Sequence, residues 1–162
     1  MSNINVIPDF ITWLYGRMAA DATVQRDLRS PETGEVRVYE SQGTEGRSPT
    51  GYAPQWPEEP EYPLIRFELV QCPHSTGNGG RRFGSAPVVL IEVINRTEDL
   101  LDMGPLATAV DVLFGARSVG VQGVVHIQGS ICQEQFAETK RGDSGAVYKH
   151  LGGQYEFFVF AL

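Results

Sequence analysis

Cysteine is scarce in this chain: among 162 residues only Cys72 and Cys132 carry thiols. A small disulfide scaffold would hold more of them at closer spacing, so the expectation is two free, half-buried thiols in a reducing compartment. Long apolar runs are missing as well. No stretch approaches the ~20 apolar residues that a membrane-spanning helix needs. The opening Met-Ser-Asn-Ile-Asn lacks the basic-then-apolar order of a secretory signal. A chain that is neither exported nor membrane-bound is expected. Basic charge is also in short supply, since 13 Lys and Arg face 20 Asp and Glu for a net charge of −7. That argues against a surface that wraps nucleic acid, because phosphate binding depends on Lys and Arg. The local basic spots are Arg81-Arg82 and Lys140-Arg141.

A catalytic constellation is missing too. Gly142-Asp143-Ser144-Gly145 copies the nucleophile turn of chymotrypsin-like proteases, but that chemistry needs a histidine base and a carboxylate to orient it. Neither His74 nor His126 sits in the small-residue context that precedes such a base, and Ala146 stands where that family has glycine. Gly, Asp and Ser are simply what tight turns prefer. The Arg141-Gly142-Asp143 tripeptide is equally uninformative. Cys72, His74, His126 and Cys132 offer the right count for zinc. Residues six apart on a strand lie ~20 Å from one another, however, so one ion cannot take both pairs. Gly77-Asn-Gly-Gly80 leads into a β run and not a helix, so it is no phosphate cradle. Glu58-Glu59, Glu61 and Glu98-Asp99 lack the apolar shielding that separates carboxylate pKa values; Glu98 and Asp99 suit a helix start. No cofactor, no metal and no enzymatic activity are expected.

What the chain does contain is pattern. Ile7, Phe10, Ile11, Leu14 and Met18 keep the spacing of one helical face, with Pro8 in the first turn. Asp21 can cap a second short helix through Val24 and Leu28, ended by Pro31. Gly34 to Tyr39 alternates as a short strand. Residues 41–63 hold five prolines, Pro49, Pro54, Pro57, Pro60 and Pro63, which stop helix and sheet alike. Tyr52, Trp56 and Tyr62 ride on this loop, either to order against a partner or to staple it to its own domain.

Ile65, Phe67 and Leu69 then alternate with Arg66 and Glu68 as a half-buried strand. Residues 72–86 read as a second extended loop. Val88 to Ile94, apolar at nearly every position, reads as a strand covered on both faces. A helix follows with Leu100, Met103, Leu106, Ala107, Val110, Leu113 and Phe114 on one stripe, kinked or restarted at Gly104-Pro105 and stopped by Gly115. Val121, Val125, Ile127 and Ile131 alternate with Gln122, His126, Gln128 and Ser130, so one face should be wet. Lys140 to Gly145 reads as a hairpin turn, Leu151-Gly-Gly153 as a break or bulge, and Tyr155 to Phe160 as the closing strand. The fold class expected is α+β: one domain over residues 1–162, a mostly antiparallel sheet covered by an N-terminal and a central helix.

That order, with Ala19-Ala-Asp-Ala-Thr-Val24, Val36-Arg-Val-Tyr39, Tyr62-Pro-Leu-Ile-Arg-Phe67 and Gly152-Gly-Gln-Tyr-Glu-Phe-Phe-Val159, resembles the tail terminator (tail completion) proteins of long-tailed bacteriophages. The resemblance implies a structural virion protein: a homohexameric ring at the head-proximal end of the tail tube. Such a ring ends tube polymerisation and joins the tail to the head. Implied partners are further copies of the chain, the tail tube protein and the head–tail connector protein, with DNA passing through the pore without specific binding. Implied locations are the host cytoplasm during assembly and then the virion tail. Candidate assembly-interface residues are Tyr52, Trp56, Tyr62, Arg81, Arg82, Arg141 and Asp143. Alternatives are another head–tail connector or neck protein, a serine hydrolase using Ser144, and an adaptor that binds a peptide through the aromatic loop.

Overall fold

Residues 6–41, 50–76, 82–98, 102–115 and 119–161 are described by the computed structural model of the chain. Among these residues, eight strands form one curled, mostly antiparallel sheet, and three helices pack on one of its faces, an α+β architecture. Helix α1 (Ile7–Ala19) carries Pro8 in its first turn and buries Phe10, Ile11, Leu14 and Met18 of the anticipated stripe, together with Trp13, while Ile7 is half-buried. Helix α2 (Ala22–Leu28) is capped as its sequence predicts: the Asp21 carboxylate accepts hydrogen bonds from Thr23 N (2.9 Å) and Val24 N (3.1 Å). Strands β1 (Val38–Glu40) and β2 (Leu64–Gln71) run parallel, and β2 pairs antiparallel with β5 (Val88–Arg96).

Residues 72–86 are not a plain loop. They hold a small hairpin, β3 (His74–Thr76) and β4 (Arg82–Ser85), which joins the sheet where Ser85 meets Val159. Local propensity hid it, because Gly and Ser are poor strand formers and only tertiary pairing recruits them. Helix α3 (Gly104–Phe114) starts at the Gly-Pro pair, where proline's missing N–H is no loss. Leu100 and Asp99 fall outside the described residues, and Glu98 lies in a turn ahead of the helix and not at its start.

A long hairpin completes the sheet. Strand β6 (Gly120–Gln122) pairs with the start of β7 (Val125–Arg141), and β7 pairs along β8 (Val147–Ala161), which lies between β7 and β5. Two expectations fail here. Strand β8 runs unbroken through Gly152 and Gly153. A Cβ on Gly152 would stand 2.8 Å from Glu92 Cα, and one on Gly153 would stand 2.7 Å from Glu134 O, so the glycines permit close strand approach. The irregularities instead lie in β7, where the register shifts at Gln128 and at Gln133. Each extra residue turns the following side chains to the other face. Val125 and Ile127 therefore enter the core, but Ile131 is 49% exposed while Ser130 is buried.

The core lies between helices and sheet. Phe157 meets the rings of Phe10 (5.1 Å between centroids), Phe114 (5.4 Å) and Trp13 (6.0 Å). Ile65, Phe67, Val89, Ile91 and Val93 supply the sheet side. Leu113 of the predicted stripe is only half-buried.

Candidate functional site

Strand β5 is buried along both faces, so the side away from the helices also needs a cover. Alternation assigns Leu64, Arg66, Glu92 and Ile94 to that side. Leu64 and Ile94 pair with each other and are fully buried. The proline-rich segment supplies the cover. Its backbone runs beside β1, with Glu40 N donating to Pro54 O (2.7 Å) and Trp56 N donating to Glu40 O (3.0 Å). The buried Glu40 carboxylate accepts from the Thr50 hydroxyl (2.7 Å) and the Thr50 backbone N–H. A segment too rich in proline to form a strand thus still satisfies the sheet edge and protects it.

Beneath this cover lies an ionic network. Glu92 on β5 is 2% exposed; its Oε1 accepts from Arg66 Nε (3.0 Å) and Nη2 on β2, and its Oε2 lies 2.8 Å from His150 Nδ1 on β8. Burial alone would push the Glu92 carboxyl up. The His150 hydrogen bond and the Arg66 charge outweigh it and hold the group at about 2. The Arg66 guanidinium lies 5.4 Å from the centre of the Trp56 ring, and Arg96 lies 5.6 Å from that of Tyr62. Tyr62 also packs on Tyr148 at 4.9 Å. Burial, then Tyr148, push the Tyr62 phenol up.

The candidate interface residues therefore separate. Trp56 and Tyr62 are half-buried against their own sheet, while Tyr52 is 49% exposed on the same segment. Arg141 and Asp143 are exposed at the hairpin tip. Arg82 lies in the backbone of β4, and Arg81 and the Gly77–Gly80 stretch lie outside the described residues. The residues the sequence reading missed are Glu92 and His150. A carboxylate in the middle of an apolar strand was the available signal, because a buried charge demands partners. Trp56→Ala is expected to lower stability by about 1–2 kcal/mol through the lost stack and burial. Thermal denaturation checks it, and an unchanged melting temperature would show that the ring contributes nothing to the cover.

The Gly142–Gly145 turn is a structural tip. Gly142 N donates to Ala146 O (2.8 Å), Gly145 N donates to Gly142 O (3.0 Å), and Gly145 has φ 84°. His126 lies at the far end of β7, some 50 Å away along the strand at ~3.3 Å per residue. His150 is engaged with Glu92. Ser144→Ala is expected to change stability by less than about 0.5 kcal/mol, as exposed substitutions do, which a denaturant titration would measure.

On the helix side, a groove of about 320 Å³ runs between α3 and the hairpin, lined by Ala107, Asp111, Gln135, Leu151 and Tyr155 among others. Asp111 Oδ1 accepts from Gln135 Nε2 (3.1 Å) and from the Tyr155 hydroxyl (3.3 Å). Burial, then the Asp111 charge, push the Tyr155 phenol well up, and the same two causes raise the Cys132 thiol. Neither Cys72 nor Cys132 is in a disulfide. No cluster of three metal-ligating side chains occurs among the described residues. No described helix is long and apolar enough to cross a membrane.

No family model matches this chain, and no curated protein matches it. Among solved structures, one whose name states no function aligns over 94% of this chain and 92% of its own, at 14% identity and a TM-score of 0.49.

Proposed function

We propose that this chain is a structural virion protein that forms a ring, a homohexamer, at the head-proximal end of a phage tail tube. There it ends tube polymerisation and meets the head–tail connector. The observation that carries the reading is the distribution of exposed apolar side chains. Of the seven large apolar side chains exposed among the described residues, five, Val119, Val121, Val124, Ile131 and Phe158, lie on β6, its flanks and the paired portions of β7 and β8, while Val112 of α3 and Tyr52 lie elsewhere. Scattered surface apolars need no explanation, but a group on one end of a hairpin needs a protein partner. A ring supplies one through head-to-tail contacts that close on rotation. The net charge of −7 per copy would make the pore acidic, letting DNA slide by like-charge repulsion. The adaptor reading loses its support because Trp56 and Tyr62 are spent within the fold.

Electron microscopy of purified tails or virions carrying this chain with a label tests the proposal. A single labelled ring at the head-proximal end of the tube is the expected result. Label along the whole tube, at its distal tip, or nowhere would overturn it.

A further inference from the structure

Strand β7 changes character along its length. Its start is paired by β6, and Cys132 N donates to Gly115 O (3.2 Å), so the first part of its outer edge is occupied. Beyond the shift at Gln133, Glu134 to Arg141 pair regularly with β8 on one side. Among the described residues no strand pairs with them on the other. Sheet edges of this length are normally covered or paired, because their N–H and C=O groups template another strand. The opposite border of the sheet is covered by the chain's own residues 50–56.

We propose that free chains of this protein pair through this edge, β7 against β7 of a second copy, antiparallel and centred on Ala137. The occupant follows from charge. A two-fold axis normal to the sheet keeps each face on its own side, so every residue must oppose one of the same parity. Only registers centred on a residue are therefore allowed. Glu134, Phe136, Glu138 and Lys140 share one face, where Lys140 Nζ already lies 3.2 Å from Glu138 Oε2. Centring on Phe136 would set Glu134 against Glu138 twice, and centring on Glu138 would set that carboxylate against itself. Like charges directly opposite one another destabilise. Centring on Gln135 would run the pairing into the irregularity at Gln133. Centring on Ala137 sets Glu134 against Lys140 twice and Gln135 against Thr139 twice. It also keeps Glu134 to Lys140 paired within the regular stretch, whereas centring on Thr139 would pair only Ala137 to Arg141 before reaching the hairpin turn.

The pair is two-fold, whereas a ring closes through head-to-tail contacts. The pairing is thus a property of the chain off the virion and does not rest on the ring reading.

Sedimentation of the full chain tests it through a charge swap. Glu134→Lys alone or Lys140→Glu alone should weaken the dimer about tenfold, because symmetry makes two like-charge pairs of each change. The double variant should return to within about threefold of the starting affinity. In a Cys72→Ser, Cys132→Ser background, Ala137→Cys should form a covalent dimer on mild oxidation. Phe136→Cys should not, because the neighbouring copies of that position lie on a diagonal ~7–8 Å apart. A monomer at all concentrations, a double variant as weak as the singles, or preferential cross-linking at Phe136 would each overturn the proposal. Glu134 and Lys140 are both exposed, so loss of folding does not confound the charge swap.

Discussion

Phe157→Ala should lower the unfolding free energy by about 3–5 kcal/mol, the range for truncating a fully buried aromatic. The site offers little room to collapse. Phe157 is fully buried at the centre of the sheet's helix side, and its ring touches side chains from α1 and α3 at once. Each of these ring pairs adds about 0.5–1.5 kcal/mol beyond area burial. A denaturant titration measures the change, and a loss below about 1 kcal/mol would mean that the helices do not close on β8 as described. Leu113, which the helical stripe marked as a core position, is half-buried and should cost less.

The second large effect is expected at Glu92. Glu92→Gln should destabilise by about 3 kcal/mol, the lower end for breaking a buried ion pair, because Arg66 retains partial access to water. Its pH dependence has a definite sign. The folded-state carboxyl lies at about 2, below its ordinary 4.5. Its contribution is therefore fully present above about pH 4.5 and is lost as pH falls toward 2. Unfolding titrations across that window should show an acid limb in the natural chain and a flatter one in Glu92→Gln. Equal limbs would show that Glu92 is not held ionised by Arg66 and His150.

The network also shows why part of this protein was hard to read from its sequence. Arg66 and Glu92 are 26 residues apart, and His150 is 58 residues beyond Glu92. Glu92 stands out within its apolar strand, but Arg66 and His150 read locally as unremarkable strand residues, and only the order of β2, β5 and β8 in the sheet brings the three together. The same holds for Asp9 of α1, whose carboxylate accepts from Val124 N (3.0 Å) across 115 positions and anchors the β6–β7 turn. The face reversals in β7 escaped for a related reason. An extra residue in a strand is defined by its partner's register, which a single strand's alternation does not contain.

What the chain's own order of residues determined is the local framework. Helical spacing marked α1 and α3, Asp21 marked the start of α2, and alternation or continuous apolarity marked β2 and β5, because these signals arise within a few residues of each other. Scarce cysteine, the acidic balance and the proline-rich stretch bounded the class in the same way. Tertiary structure alone decided that the proline-rich stretch forms a cover over the sheet, that Glu92 is buried against Arg66 and His150, and that among the described residues no strand covers the outer edge of β7 beyond Gln133. Each of these depends on which strands become neighbours. That choice is made by burying both faces of β5 at once, and no window of sequence holds it.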